Sequence, residues 1–481
     1  TLLAPYLRKF GCYTVPDFIG TRYGGNLARL LAVVVLTVAS FTYVTAQINA
    51  TGTIASVALD IDFKYAVYVG LVSILLCSML GGMRAVTWTQ VAQYIVLIIA
   101  YLLPVFWISN KMGAGFFPHF MLADEVARIG ELEQQFGFVK NSAADLATVP
   151  KGLAGITKAH SAVNATPWAF ISLALAMMMG TASLPHVMMR YFTTPSVKAA
   201  RKSVGWSLFF IFLLYSSAPM LATLSKLSLI DPTLSTGIIG KSFAEVQSID
   251  WFQNWNQANL MFISDFNGNG TLELNEFFMG GKAVVLATPE IAGLPYVISG
   301  LVAAGGMAAA MSTADGLILA IANAISHDVY YKMIDPKAET AKRLLVARAL
   351  LVVIGFAGAT IAAMEIQGIL GSVIWAFDFA MSGLFFPLVL GVWWKRANRQ
   401  GAIAGMALGL ASSIWYLVWV RSGGSGFLGL TQLTFGIFGA GVSFVSMVVV
   451  SLITSAPDAA TQKMVDEVRI PSGKSILGKQ H

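Results

Sequence analysis

The sequence predicts an all-α polytopic membrane protein, and three observations carry that expectation. Hydrophobic residues make up 56% of the chain and charged residues only 11%, with a mean hydropathy of +0.71, which is outside the soluble globular range. A window of about 19 residues finds about ten apolar stretches of spanning length. The basic residues fall in the short connections between these stretches and collect on one side. The formal charge of +7 would point to nucleic acid if it were concentrated. Dispersed in this way it is a topology signal, and nucleic acid is excluded as a partner.

The spans follow in order at 27–49, 64–83, 86–109, 167–190, 205–227, 294–330, 342–365, 369–393, 400–420 and 429–454. Arg8, Lys9 and Arg22 precede the first, and Arg84 separates the second from the third. Arg190, Lys198, Arg201 and Lys202 separate the fourth from the fifth. Lys332, Lys337, Lys342 and Arg343 follow the sixth, and Lys395, Arg396 and Arg399 follow the eighth. Lys463, Arg469, Lys474 and Lys479 lie in the tail. The positive-inside rule assigns this side to the cytoplasm. An even number of spans returns the C-terminus there. Two loops, at about 110–166 and 228–290, face outward and hold much of the acidic residue content. The transporter domain is expected over 1–456, and the tail 457–481 is too short for a core of its own. Cys12 and Cys77 imply no disulfide framework.

The sixth stretch, Leu294–Tyr331, sets Ser312, Thr313 and Asp315 among small apolar neighbours. Polar and ionisable groups at that depth are costly and need a partner, an ion or a wet cavity, so an ion site is the expectation. The alternative is that both hydroxyls bond back to carbonyls one turn earlier and that Asp315 caps a kink near Gly316. A second buried acid, Asp378, lies in GSVIWAFDFAMSG. No buried arginine is evident beside these acids, so they do not by themselves require an anionic substrate. His186 follows Pro185, where the lost hydrogen bond loosens the helix and favours a broken helix at a binding site; a satisfied structural histidine is the alternative. Trp375, Phe377 and Phe379 are candidate pocket aromatics, with packing as their alternative role.

DFNGNGTLELNE, Asp265–Glu276, fits a twelve-residue calcium loop position by position. Asp265, Asn267 and Asn269 take positions one, three and five, and Gly270 takes six. Thr271 offers its carbonyl at seven, Leu272 is the apolar anchor, Glu273 binds through water at nine, and Glu276 is bidentate at twelve. The lack of a paired second loop counts against calcium, as does the ease with which an Asn/Gly turn imitates the pattern. A structural role for calcium is favoured over a sensor.

Four ordered motifs, YTVPDFIGTRYG, GGMRAVTWTQVAQ, GTASLPHVMMRYFTT and AAAMSTADG with SHDVY, resemble the sodium:solute symporter family from about Tyr13 to Arg399. The resemblance is greatest to a bacterial branch related to acetate and monocarboxylate permeases. It implies a leucine-transporter-like core of five plus five helices in inverted repeat, with extra C-terminal helices and alternating access. On that plan the chain is expected to begin after the second core helix. The family's sodium positions match Ala309 as carbonyl donor and Ser312 and Thr313 as hydroxyl donors. Members often carry Asp where this chain has Gln90, and Asp315 then stands as a relocated acid for a second cation or a proton. By alignment His186 lies near an inner-gate position; Gly180, Gln90, Trp375 and Asp378 join it as substrate or gate candidates. The implied function is sodium-coupled import of a small organic solute, with a short monocarboxylate as the leading class. A proline-like amino acid carrier, coupled to sodium or protons, and a transporter-like sensor are the alternatives. A small two-helix membrane subunit is a candidate partner beside the lipid bilayer. No nucleophile and base constellation appears, so no enzymatic activity is expected.

Overall fold

Uninterrupted apolar runs rich in Leu, Ala, Ile and Val satisfy every backbone polar group within the segment only as helices, and helices account for nearly all regular structure in the computed structural model. It describes residues 3–113, 118–136, 167–470, 472 and 475–477. The sequence readings at Arg84, residues 137–166, Lys474 and Lys479 lie outside these residues or their described side chains.

In order, the helices are α1 (Ala4–Phe10), α2 (Val15–Tyr23), α3 (Asn26–Leu59), α4 (Phe63–Lys111), α5 (Leu122–Gln135), α6 (Pro167–Thr181), α7 (Pro185–Phe192), α8 (Val197–Ile230), α9 (Phe243–Gln247), α10 (Asp250–Gln257) and α11 (Val284–Ile291). Then come α12 (Tyr296–Asn323), α13 (Thr340–Ala363), α14 (Ile369–Ala380), α15 (Phe386–Trp393), α16 (Arg399–Arg421), α17 (Phe435–Ile453) and α18 (Ala459–Val468). A π-helical run, Ala324–Ile334, extends α12, and a second one, Met381–Phe385, joins α14 to α15. Among the described residues eight helices are long and apolar enough to cross a membrane, or nine with the pair α6 and α7, which is bent by 41°. The bend falls at the expected place, before Pro185. Outward apolar residues such as Trp206, Leu208, Phe209, Ile211 and Phe212 on α8 are exposed, as a lipid-facing surface requires.

The expected spans 64–83 and 86–109 lie in one helical run, α4, of 49 residues. Held straight it would extend about 74 Å. Its two ends are much closer together than that. Lys282 Nζ sits over the Phe63 ring at 5.1 Å and Lys111 Nζ donates to Ala292 O at 2.7 Å, while the nine residues between Lys282 and Ala292 are largely the short helix α11. The run therefore reverses between Met79 and Ala85, and its halves pack as two antiparallel spans.

The two ends of the bundle differ. At one end Arg22, buried, donates to Gly391 O, Trp394 O and Ala397 O, satisfying carbonyls left over at the end of α15. Arg469 reaches Val392 O and Trp393 O, Lys395 pairs with Asp466, and Val465 and Val468 of α18 are buried. The tail thus docks on the bundle. At the opposite end the strands β1 (Met261–Ile263) and β2 (Phe277–Met279) pair antiparallel with Phe262 opposite Phe278, and they flank the calcium-type loop.

Candidate ion and solute site

α12 brings the ion-site candidates together. Ser312 Oγ donates to Ala309 O at 2.9 Å and Thr313 Oγ1 donates to the same carbonyl at 3.3 Å. Both lone pairs of Ala309 O are engaged, so three-way ion coordination requires the hydroxyl hydrogens to turn away. Gln90 of α4 donates from Nε2 to Ser312 O at 2.6 Å, tying the next carbonyl to the neighbouring helix. Asp315, fully buried, turns to the other half of α4, where Ser78 Oγ donates to Oδ1 at 2.9 Å; its Oδ2 has no hydrogen-bond partner. The first arm of the α4 hairpin thus holds Asp315 through Ser78, and the second arm holds Ser312 O through Gln90.

The other candidates separate. Asp378 is fully buried, with neither carboxylate oxygen hydrogen-bonded. It sits where α14 crosses α17: a Cβ on Gly436 would lie 2.5 Å from its Cα. Gly180 is accounted for by packing, since a Cβ there would lie 2.5 Å from that of Phe377. Trp375 donates its indole N–H to Gln432 O at 2.7 Å and carries the Arg421 guanidinium 5.1 Å over its ring. It lines a cavity of about 270 Å³ with Thr42, Thr45, Asn49, Ser372 and Phe379. The Thr42, Thr45 and Asn49 spacing places those groups on one face of α3.

His186 opens α7 and is 9% exposed, with the Tyr43 ring 5.7 Å away and no partner for Nδ1. Arg190, one turn later in the last turn of α7, reaches the ion helix. A Cβ on Gly316, about midway along the Tyr296–Ile334 span, would lie 3.2 Å from Arg190 Nη2 and 3.6 Å from Gln90 Nε2. A partly buried arginine does therefore stand at the ion helix, contrary to expectation.

A second polar cluster, where two of the family-like motifs meet, was not read as a site. Thr14 Oγ1 donates to Asp328 Oδ2 at 2.6 Å, and Arg29 lies 3.3 Å from Asp17 and 3.7 Å from Asp328. His327 comes within 4.8 Å of both acids. Arg29 already supplies the positive charge there.

In the calcium-type loop Asp265 accepts from Gly268 N and Gly270 N, Asn267 Oδ1 from Asn269 N, and Asn269 Oδ1 from Thr271 N. Glu276, fully buried, accepts from Phe266 N and Glu273 N. Asn267 and Asn269 donate to Glu273 Oε1. The paired second loop is replaced by a strand-like contact: Leu272 N donates to Lys241 O and Gly240 N to Leu272 O, with Thr271 bridged to Ser242. All the donor atoms are hard oxygens on one closed turn, which suits calcium.

The chain is 35% identical to an uncharacterized symporter of Cupriavidus necator, over 97% of this chain and 81% of that protein. It is 27% identical to a monocarboxylic acid transporter of Corynebacterium glutamicum, over 86% of this chain and 67% of that one. Its fold matches a substrate-bound, outward-open structure of a Na+-coupled sialic acid symporter with a TM-score of 0.62 at 17% identity, covering 95% of this chain and 80% of that one. This is the expected all-α, leucine-transporter-like architecture. The model of the sodium:solute symporter family matches residues 1–229 and 282–409, leaving out the segment with β1, the calcium-type loop and β2. With that match spanning most of its length, the chain is a multi-pass membrane protein that belongs to the sodium:solute symporter family, a family of sodium-coupled transporters and not of enzymes.

Proposed function

We propose that the protein imports a short monocarboxylate together with sodium across a bacterial inner membrane, with its C-terminus in the cytoplasm. The observation that carries this reading is the convergence of Ser312 and Thr313 on Ala309 O at mid-helix, where sodium would meet three hard oxygens. The monocarboxylate class is supported by the Corynebacterium glutamicum relative and by a guanidinium beside the next turn of the same helix. Asp315 is the candidate for a second cation or a proton. Residues 1–456 form the transporter domain and 457–481 the tail, and a small two-helix subunit is a candidate partner. Counterflow in proteoliposomes tests the reading, with acetate, pyruvate, lactate and proline each offered with and without sodium. Sodium-stimulated exchange of a monocarboxylate, with none of proline, is expected; the reverse preference rejects it.

The outward loop would hold calcium through Asp265, Asn267, Asn269, Thr271 O, Glu276 and, through water, Glu273. Bound there, the ion would supply a structural clamp between β1 and β2. Calorimetric titration of the intact protein should show one calcium with a dissociation constant on the order of 0.1–1 mM. Glu276→Gln should abolish that heat without altering sodium-driven uptake.

A further inference from the structure

We propose that Arg190, with Gln90 and His186, is the receptor for the solute's carboxylate on the ion helix. The inference deepens the monocarboxylate reading above and rests on it. Arg190 is partly buried, and among the described residues no acid lies within ion-pair distance of it. The nearest acid in sequence on α12, Asp315, is turned to Ser78. Its Nη2 and Gln90 Nε2 lie 3.2 and 3.6 Å from the point where a Cβ would stand on Gly316. Two N–H donors thus close on the Gly316 backbone, an approach that a side chain at 316 would crowd. His186 lies one turn earlier on the same face of α7, is 9% exposed, and has an Nδ1 without a partner.

A partly buried guanidinium without a counter-charge is costly, and a carboxylate answers it with paired, charge-assisted hydrogen bonds. One guanidinium balances one negative charge, which fits a monocarboxylate and leaves the second charge of a phosphate unmatched. Gly316 follows Ser312 and Thr313 by one turn, about 5–6 Å along the same face. Sodium on one turn and a carboxylate on the next attract each other, so each ligand raises the affinity for the other.

The test uses the full chain, purified and in proteoliposomes, with pyruvate as the probe. Arg190→Gln should raise the KM for pyruvate by about tenfold or more while the sodium stabilisation of the purified protein persists. Arg190→Lys, which keeps the charge and loses the fork, should fall between. Gln90→Glu, which offers Arg190 an internal carboxylate, should weaken pyruvate in the same way. Pyruvate should raise the melting temperature of the unaltered protein and not of Arg190→Gln, whereas the neutral amide of the same acid should act equally on both. Failure of pyruvate to stabilise the unaltered protein, or an unchanged KM in both Arg190→Gln and Gln90→Glu, overturns the site. If pyruvate stabilises the protein through Arg190 but no monocarboxylate is transported, the site stands and the transport reading fails.

Discussion

Replacing Ser312 and Thr313 together with alanine should lower the apparent affinity for sodium by on the order of a hundredfold or more, leaving a folded protein with little sodium-stimulated uptake. An interaction between a polar group and a charge contributes about 1.5–3 kcal/mol, roughly a tenfold to hundredfold change in affinity for each hydroxyl lost. The helix itself should barely notice. Both hydroxyls bond back to Ala309 O within their own turn, and alanine is the strongest helix former. Back-bonding alone therefore predicts almost no phenotype, while ion coordination predicts a large one. Uptake measured across a range of sodium concentrations separates the two, since an unchanged sodium activation curve in the double variant would leave the hydroxyls with a purely local role. Ser312→Thr should retain most of the activity because it keeps an oxygen at the same place.

Hydropathy and charge placed most spans because each reports on a run of neighbouring residues. The α6 and α7 break was legible for a related reason: Pro185 deletes a hydrogen bond at its own position. The loop Asp265–Glu276 was legible too, since twelve consecutive residues carry its whole donor set. The approach of Arg190 to the ion helix was not legible, because counting Lys and Arg treats every basic residue as a topology signal. That approach depends on the missing side chain at Gly316, which leaves no period in the sequence. The contact of Thr14 with Asp328 joins residues 314 positions apart, and nothing local announces it. The reversal of α4 lay between the two readings: Arg84 divided two apolar stretches, but their pairing shows only in the proximity of Phe63 and Lys111 to either end of α11.

The cluster of Thr14, Asp17, Arg29 and Asp328 carries the second large expected effect. Arg29→Ala should destabilise the protein by about 3–5 kcal/mol, the usual cost of leaving buried charge without its partner. Asp328 is fully buried and Asp17 is 8% exposed, so removing Arg29 strands two carboxylates at once. Asp328→Asn should cost less, about 1–2 kcal/mol. An amide still accepts from Thr14, and Arg29 keeps Asp17 at 3.3 Å. The double variant should be more stable than Arg29→Ala alone, because the neutral amide needs no cation; the difference is the coupling between the two positions. Thermal melts of the four purified proteins give this order directly. If Asp328→Asn fell as far as Arg29→Ala, the carboxylate would matter for its hydrogen bond to Thr14 rather than for charge. The order also bears on transport, because Asp328 lies in the π-helical extension of α12, Thr14 caps α2, Asp17 lies in α2 and Arg29 lies in the first turn of α3. The ion pair thereby ties the end of the ion helix to the start of α3, one of the helices it packs against. A protein weakened only here should keep its sodium affinity, set a full four turns away at Ser312 and Thr313, while losing uptake rate as the end of α12 loosens.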